Sequence, residues 1–178
     1  GKSTVIDNIV NVYYGVKAPT QYRFTVQELT ENQDQSRSQT KHVQVHPLFG
    51  TSVYHQGLNI IDTPGFDDTS GIQRDREIKR ELEDFILCNL FTIDFVGYVI
   101  PASQPRLTDT QVYIYDNVLS LLGKDLKASI ACIFTFADGG IATSEAALRD
   151  IGLNPHYSFP VNNSVLFEQM MVPNEAEK

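Results

Sequence analysis

The segment most informative about the fold is Leu58-Asn59-Ile60-Ile61-Asp62-Thr63-Pro64-Gly65. Its first four residues have the apolar character of a strand, and the aspartate, proline and glycine that follow are residues that form turns. Nearer the start, Gly1-Lys2-Ser3-Thr4 leads into a helical pattern, because apolar residues recur there at helix spacing: Val5, Ile6, Ile9 and Val10. The chain therefore combines a helix opened by a polar tetrapeptide with a strand closed by an aspartate.

Strands and helices alternate along the rest of the chain. The run over 93–100 is apolar nearly throughout, as in a strand covered on both faces. Thr108 and Gln111 have the spacing of a capping box at a helix start. The alternation predicts an α/β fold with a mainly parallel sheet. We expect strands over 42–47, 58–61, 93–100, 130–136 and 157–161, and helices from 3 to a stop at 15, over 72–90, from a cap at 108 to a stop at 123, and over 144–151.

Composition excludes several classes of function. The 178 residues fit one domain, and the net charge of −8 argues against a surface that binds nucleic acid. No apolar run reaches the length of a membrane span. Cys88 and Cys132 lie far apart in apolar segments, without disulfide or metal spacing, which favours a reducing compartment. We therefore expect a cytoplasmic location, no nucleic-acid partner and no membrane segment in this sequence.

Gly1-Lys2-Ser3-Thr4 is the last half of the phosphate-binding pattern G-x-x-x-x-G-K-S/T. The amides and the dipole of a helix N-terminus hold phosphate oxygens. Lys2 would reach the β- and γ-phosphates, and Ser3 would offer its hydroxyl oxygen to Mg²⁺. Taken alone, the tetrapeptide is equally compatible with an ordinary helix start that Ser3 or Thr4 caps.

Asp62-Thr63-Pro64-Gly65 matches the D-x-x-G element of GTPases, which also follows a strand. Asp62 could hold a metal-bound water, and the N–H group of Gly65 could bind a γ-phosphate. On its own the element would be a simple turn. With Lys2 about sixty positions upstream, it indicates a nucleotide site.

A switch threonine that closes over Mg²⁺ should lie between these two elements. Thr40 is the preferred candidate, because it ends a polar loop over 28–40 directly before a strand. Thr25, Thr30 and Ser38 are the alternatives.

Thr135-Phe136-Ala137-Asp138 follows another apolar strand and resembles the element N/T-K-x-D. A carboxylate at Asp138 would accept hydrogen bonds from the N1 and N2 groups of guanine, whereas adenine has an acceptor at N1 and no 2-amino group. Phe136 replaces the lysine, so the base must stack differently. The alternative is a loop opened by Asp138-Gly139-Gly140.

The motifs together resemble those of the septin-related and immunity-associated GTPases, within the wider Ras-like class. They are GKST (1–4), IIDTPGFDD (60–68), RLT (106–108), TFADG (135–139) and FPVNNSVLF (159–167). They are most similar to a group of uncharacterised animal GTPases that carry T-F-A-D-G, and the resemblance covers nearly the whole chain. It implies a six-stranded Ras-like sheet, binding of GTP or GDP and Mg²⁺, slow hydrolysis, and self-association, such as a homodimer formed through the nucleotide face.

The resemblance also implies a set of site residues. Lys2, Thr40 and Gly65 would take part in catalysis. Magnesium would be held by Ser3, Thr40 and, through a water, Asp62. Asn163 is preferred over Asn162 as the last base contact. The nucleotide-binding residues would be Gly1, Lys2, Ser3, Thr4, Asp62, Gly65, Thr135, Asp138, Asn162 and Asn163.

Three departures from the resembled pattern affect these expectations. The first half of the phosphate loop and its central strand are absent, which would leave two neighbouring strands without a partner. The last helix is absent too, so we expect a partial GTP-binding domain over 1–172 and a polar tail or truncation at 173–178. Phe66 stands where Ras-like enzymes have a water-orienting glutamine. The alternative to a GTPase is therefore a scaffold that binds GTP without hydrolysis, or that binds no nucleotide.

Overall fold

The computed structural model describes residues 1–17, 22–26, 40, 42–65, 72–89, 92–122, 128–139, 143–153 and 155–163. Helices and strands alternate within these ranges, as the sequence predicts. The elements are α1 (Lys2–Tyr13), β1 (Gln44–Leu48), β2 (Leu58–Asp62), α2 (Ile72–Asn89), β3 (Val96–Pro101), α3 (Asp109–Leu122), β4 (Ile130–Thr135), α4 (Thr143–Asp150) and β5 (Tyr157–Val161).

The described strands form two sheets. β1 and β2 are antiparallel, and Gln44 pairs with Asp62 at the end of β2. β3, β4 and β5 are parallel in that order, so Pro101, Thr135 and Val161 lie side by side where the three strands end. This arrangement confirms the predicted α/β fold with a mainly parallel sheet. Among the described strands, only β4 pairs on both sides.

Two separate apolar cores correspond to the two sheets. We call α1, β1 and β2 the antiparallel half, and β3, β4, β5, α3 and α4 the parallel half. The core of the antiparallel half consists of Ile6, Val10, Tyr13 and Leu48. The larger core of the parallel half contains Ile100, Ala102, Tyr115, Ile130, Cys132, Phe134, Ala137, Leu148 and Leu153.

Local signals in the sequence set the helix ends correctly. The Gln111 N–H donates to Thr108 Oγ1 at 3.2 Å, and the Thr108 N–H donates to Gln111 Oε1 at 2.9 Å. These two hydrogen bonds are the predicted capping box. Gly15 adopts a φ of +73° just after α1, a conformation that suits glycine and ends the helix.

Two predicted strand starts are wrong by two or three residues, and four predicted strand ends differ by one residue. β3 begins at Val96 instead of Ile93, because its ladder starts where Val96 meets Ile130, the first residue of β4. Only Ile100 is fully buried in β3, so this strand is not covered on both faces. β1 begins at Gln44 instead of His42, because β2 ends opposite it at the turn after Asp62.

Other predictions fall on residues outside those that the structure describes. These are the polar loop over 28–39, Phe66, the stop at Gly123, Ser164 and the tail over 173–178.

Candidate functional site

The N-terminus of α1 has the general features of a helix end that can bind an anion. The helix begins at Lys2 with Gly1 as its N-cap, and the Val5 N–H donates to the Gly1 carbonyl at 3.1 Å. Ser3 and Thr4 therefore lie inside the first turn, and the alternative in which one of them caps the helix is wrong. The first turn holds no acidic side chain. The positive end of the helix dipole is thus left for an external anion.

The Asp62 carboxylate acts electrostatically on Lys2 at this helix end. Asp62, the last residue of β2, is only 3% exposed. Burial lowers the pKa of the Lys2 ammonium, and attraction to the Asp62 carboxylate partly offsets that effect. The ammonium group consequently lies in a poorly solvated place, where its attraction to phosphate is stronger than in water.

Thr40 contacts the same carboxylate. Its Oγ1 donates a hydrogen bond to Asp62 Oδ2 at 3.0 Å. Thr25, one of the alternatives for the switch threonine, instead donates to Asp7 Oδ2 at 3.4 Å. Thr30 and Ser38, the other two, lie outside the described residues. Of the two described candidates for the switch threonine, Thr40 is therefore the one that contacts the aspartate at the end of β2.

The oxygens of Ser3, Thr40 and Asp62 are chemically suited to Mg²⁺. This ion prefers hard oxygen ligands and is usually held by only one or two carboxylates together with phosphates and water. The Thr40 hydroxyl donates its proton to Asp62, and a hydroxyl oxygen is a chemically suitable ligand for such a cation. Among the described residues, no group of three or more His, Cys, Asp or Glu side chains could hold a metal by itself.

The second part of the site lies where the strands of the parallel sheet end. The Ala137 N–H donates to the Val161 carbonyl at 3.2 Å, so the chain after β4 is tied to the end of β5. Asp138 follows directly and is exposed, as is Asn162, whereas Asn163 is partly buried. Ligands of open α/β sheets bind at this edge.

Thr135 is placed differently from the other predicted nucleotide-binding residues. It is 3% exposed, and its Oγ1 donates to the Ile100 carbonyl at 3.4 Å. Its own carbonyl accepts a hydrogen bond from the Ala102 N–H at 2.8 Å. In this structure Thr135 fastens the end of β4 to β3, and a direct contact with nucleotide stays a prediction. Gly65 lies just beyond β2, beside the buried Pro64.

Asn8 links the two parts of the site, a role that the sequence analysis missed. Its Nδ2 donates to Oδ1 of Asn163, which is 155 positions away along the chain. The helix that opens at Lys2 is thereby joined directly to the loop after β5. A polar residue nearly two turns into the helix gives no sign in the sequence of so distant a partner.

Asp7 and Asn11 were missed as well, and they hold the segment over 22–26 against α1. Asn11 donates to the Phe24 carbonyl at 2.8 Å and accepts from the Phe24 N–H at 2.9 Å. Asp7 accepts from the Val26 N–H at 2.7 Å, and burial raises the pKa of its carboxyl. The spacing i, i+4 places both side chains on one helix face, which is the available sequence signal.

Comparison with known proteins identifies the class of fold. No protein-family model and no curated protein matches the chain. Among solved structures, a dimerization-deficient mutant of Toc33 from Arabidopsis thaliana matches 92% of this chain, with a TM-score of 0.57 and 14% sequence identity. The chain spans 66% of the length of that Toc33 chain. The chain therefore shares the α/β fold of that Toc33 chain.

The described helices were also compared with the requirements of a membrane span. None of them combines the length and the apolar character needed to cross a bilayer.

Proposed function

We propose that the protein binds GTP with Mg²⁺ and hydrolyses it to GDP and phosphate, as a nucleotide-dependent switch or assembly GTPase. The observation that carries this proposal is the hydrogen bond from Thr40 to the buried Asp62 carboxylate, which also attracts the Lys2 ammonium at the N-terminus of α1. These residue types serve phosphate and magnesium, and they converge on a helix end that favours anions. The P-loop GTPase fold supports the same conclusion.

The phosphates would lie against the first turn of α1. Its amides and the Lys2 ammonium would bind the β- and γ-phosphate oxygens, and burial of Lys2 strengthens that attraction. Ser3 and Thr40 would hold the magnesium ion directly, and Asp62 would hold it through a water. Bound Mg²⁺ would supply positive charge at the β- and γ-phosphates. The backbone N–H group of Gly65 would bind the γ-phosphate, and this hydrogen bond would be lost when the γ-phosphate is released.

The base would lie at the carboxyl edge of the parallel sheet. The Asp138 carboxylate would accept hydrogen bonds from N1 and N2 of guanine, and Asn163 would complete the pocket with Asn162. The hydrogen bond from Asn8 holds Asn163 in register with the phosphate-binding helix. One nucleotide would therefore contact both halves of the molecule.

Hydrolysis requires in-line attack of a water on the γ-phosphate. Phe66, at the position of the usual glutamine, has no group that could orient this water. A backbone carbonyl or a residue from a second protomer would have to do so. We propose a homodimer through the nucleotide face of a cytoplasmic protein, and the dimerization named for Toc33 supports such self-association. Phe66 is also the feature that favours the second candidate, a scaffold that does not hydrolyse GTP.

Calorimetric titration tests the proposed ligand. The protein is titrated with non-hydrolysable GTP and ATP analogues in Mg²⁺, beside Asp138→Ala and the matched control Asp94→Ala, which changes an exposed aspartate before β3. We expect selective GTP binding that Asp138→Ala weakens by about tenfold or more, equivalent to about 1.4 kcal/mol. Absence of GTP binding by a folded protein would refute the proposal.

Release of phosphate separates the enzyme from the scaffold. Multiple-turnover release from GTP is measured for the wild type and for Lys2→Met, which keeps the length of the side chain and removes its charge. A GTPase releases phosphate over repeated turnovers and slows markedly in the variant. A protein that binds GTP and releases no phosphate would be the scaffold.

A further inference from the structure

Glu81 of α2 contacts the short segment that connects Thr40 with β1. Its Oε1 accepts a hydrogen bond from the Val43 N–H at 2.8 Å and lies 3.3 Å from His42 Nδ1. Val43 comes just before β1, whose pairing with β2 begins at Gln44. The backbone directly outside the sheet is therefore bound by a side chain from a helix.

The hydrogen bond from Val43 is the more important of these two contacts. The His42 side chain is 74% exposed, and an exposed ion pair contributes little because water screens it. The Glu81 side chain is 30% exposed, so water competes less for its oxygens. A hydrogen bond from a backbone N–H to a charged acceptor is also stronger than one between neutral groups.

Packing of α2 holds Glu81 in place. Ile78 is 1% and Leu82 is 8% exposed, so the helix is anchored by buried side chains next to Glu81. Lys79 of the same helix donates a hydrogen bond to Asn117 Oδ1 on α3. A group on a packed helix is positioned more precisely than a group on a loop. Glu81 is therefore suited to fix the backbone that it contacts.

The segment that Glu81 holds carries Thr40, three residues before Val43. The Thr40 Oγ1 donates to Asp62 Oδ2 at 3.0 Å. Three residues span at most roughly 10 Å, so a fixed Val43 restricts the positions that the Thr40 hydroxyl can reach. Glu81 and Asp62 thus restrain the segment at two points.

We propose that Glu81 is a positioning residue for Thr40, an inference that rests on the proposed function. By holding the Val43 N–H, Glu81 keeps the Thr40 hydroxyl beside Asp62, where it would meet the magnesium of bound GTP. Switch segments of GTPases are ordered by contacts with the γ-phosphate and Mg²⁺ and are released after hydrolysis. Glu81 would therefore reduce the entropy that is lost when GTP orders Thr40, and it would not affect the binding of GDP.

Hydrogen exchange of the whole chain without nucleotide tests the contact itself. The Val43 amide should exchange faster in Glu81→Ala than in the wild type, because it loses its acceptor. Glu81→Gln keeps an oxygen at the same position and should restore most of the protection. Unchanged exchange of the Val43 amide in Glu81→Ala would overturn the inference.

Calorimetric titration with a non-hydrolysable GTP analogue and with GDP, both in Mg²⁺, tests the effect on binding. Glu81→Ala should raise the Kd of the analogue about threefold to tenfold, as expected for the loss of one hydrogen bond. The Kd of GDP should stay within about twofold of the wild-type value, and Glu81→Gln should bind both nucleotides within the same range.

Glu77→Ala is the matched control. Glu77 lies on the same helix, its side chain is 56% exposed, and it pairs with Arg74 of α2 at 3.1 Å. This variant should bind both nucleotides as the wild type does.

A double mutant shows whether Glu81 acts through Thr40. Residues that act through one contact have non-additive effects. Once Thr40→Ala has removed the hydroxyl, the further change Glu81→Ala should leave the Kd of the analogue unaltered. An effect as large as in the wild-type background would overturn the inference.

The remaining outcomes separate the inference from the proposed function. If the wild type binds the analogue and Glu81→Ala binds it equally well, the positioning role is overturned and GTP binding stands. Equal weakening of the analogue and of GDP would assign Glu81 to the fold and would also overturn that role. If the folded wild type binds neither nucleotide, the proposed function itself is overturned.

Discussion

In the parallel half, β4 buries five of its six residues, whereas β1 and β2 of the antiparallel half bury only Leu48 and Asp62. The antiparallel half depends more on polar contacts. Asn11 binds the backbone of Phe24, and the Tyr13 hydroxyl donates to the Gln56 carbonyl. Regions with few buried apolar contacts open more readily than packed cores. The base-binding end would thus be the rigid part of the site, and the phosphate-binding end the part that can respond to its ligand.

The largest expected effect tests the packing of the parallel half. Phe134 is 2% exposed in the middle of its core. Phe134→Ala should lower the free energy of unfolding by about 3–5 kcal/mol, because it removes a buried ring and leaves a cavity. Urea denaturation followed by circular dichroism measures the loss. A loss below about 1 kcal/mol would mean that this half is not the main source of stability.

A smaller effect is expected from the polar contacts of α1. Asn11 is 4% exposed, and Asn11→Ala would remove its two hydrogen bonds with the backbone of Phe24. We expect a loss of about 1–3 kcal/mol. Hydrogen exchange should show faster exchange of the Phe24 amide, while the amides of β4 keep their protection. Equal acceleration in β4 would show that the two halves open together.

The same substitution, Ile→Val, can be made in both cores to compare how rigidly they pack. Ile100 is 2% exposed in the larger core, and Ile6 is 7% exposed in the smaller one. Ile→Val in a core costs about 0.5–1.5 kcal/mol, and the cost is higher where the surroundings cannot relax. Ile100→Val should therefore cost more than Ile6→Val in the same urea assay. The reverse order would contradict the assignment of the rigid half.

The smallest expected effect concerns pH. Burial raises the folded-state pKa of the Asp7 carboxyl above its ordinary value of 3.8. The folded state then binds the proton more tightly, so stability should fall as the pH rises from 3.8 through the raised pKa. Asp7→Asn keeps an acceptor for the Val26 N–H and removes the charge, and it should abolish this fall.

Urea midpoints from pH 4 to pH 8 measure the effect of Asp7→Asn, with Asp94→Asn on an exposed segment as the control. An unchanged pH slope in Asp7→Asn would show that Asp7 does not contribute it.

Local features such as helix caps were predictable from the sequence. The residues at which strand pairing begins were harder to predict. The capping box at Thr108 and Gln111 depends on residues three positions apart, and both of its hydrogen bonds are present. The start of β3 depends on where β4 begins at Ile130, and apolar character between Ile93 and Phe95 carries no information about that. The periodicity of apolar residues predicts that a strand exists, but the residues at which it begins and ends depend on the neighbouring strand.

The residue types of the candidate site were predictable from the sequence. The residues that position them were harder to predict. Motif spacing indicated Lys2 and Asp62, and in the structure the Asp62 carboxylate attracts the Lys2 ammonium. The predicted positions of Thr40 and Asp138 agree with a nucleotide site and stay predictions until a ligand is measured. Asn8 could not be predicted, because its partner is set by tertiary structure. The positive φ of Phe136 could not be predicted either, because an aromatic residue gives no local signal for a left-handed conformation.

The hydrogen bond between Asn8 and Asn163 has a consequence for the order of folding. Nearly the whole chain lies between the two residues, and closing so long a loop is entropically costly until intervening structure has formed. During synthesis, α1 would leave the ribosome long before its partner loop exists. The complete pocket would therefore be among the last features to form, and a nucleotide that contacts both ends would bind finished molecules in preference to nascent ones.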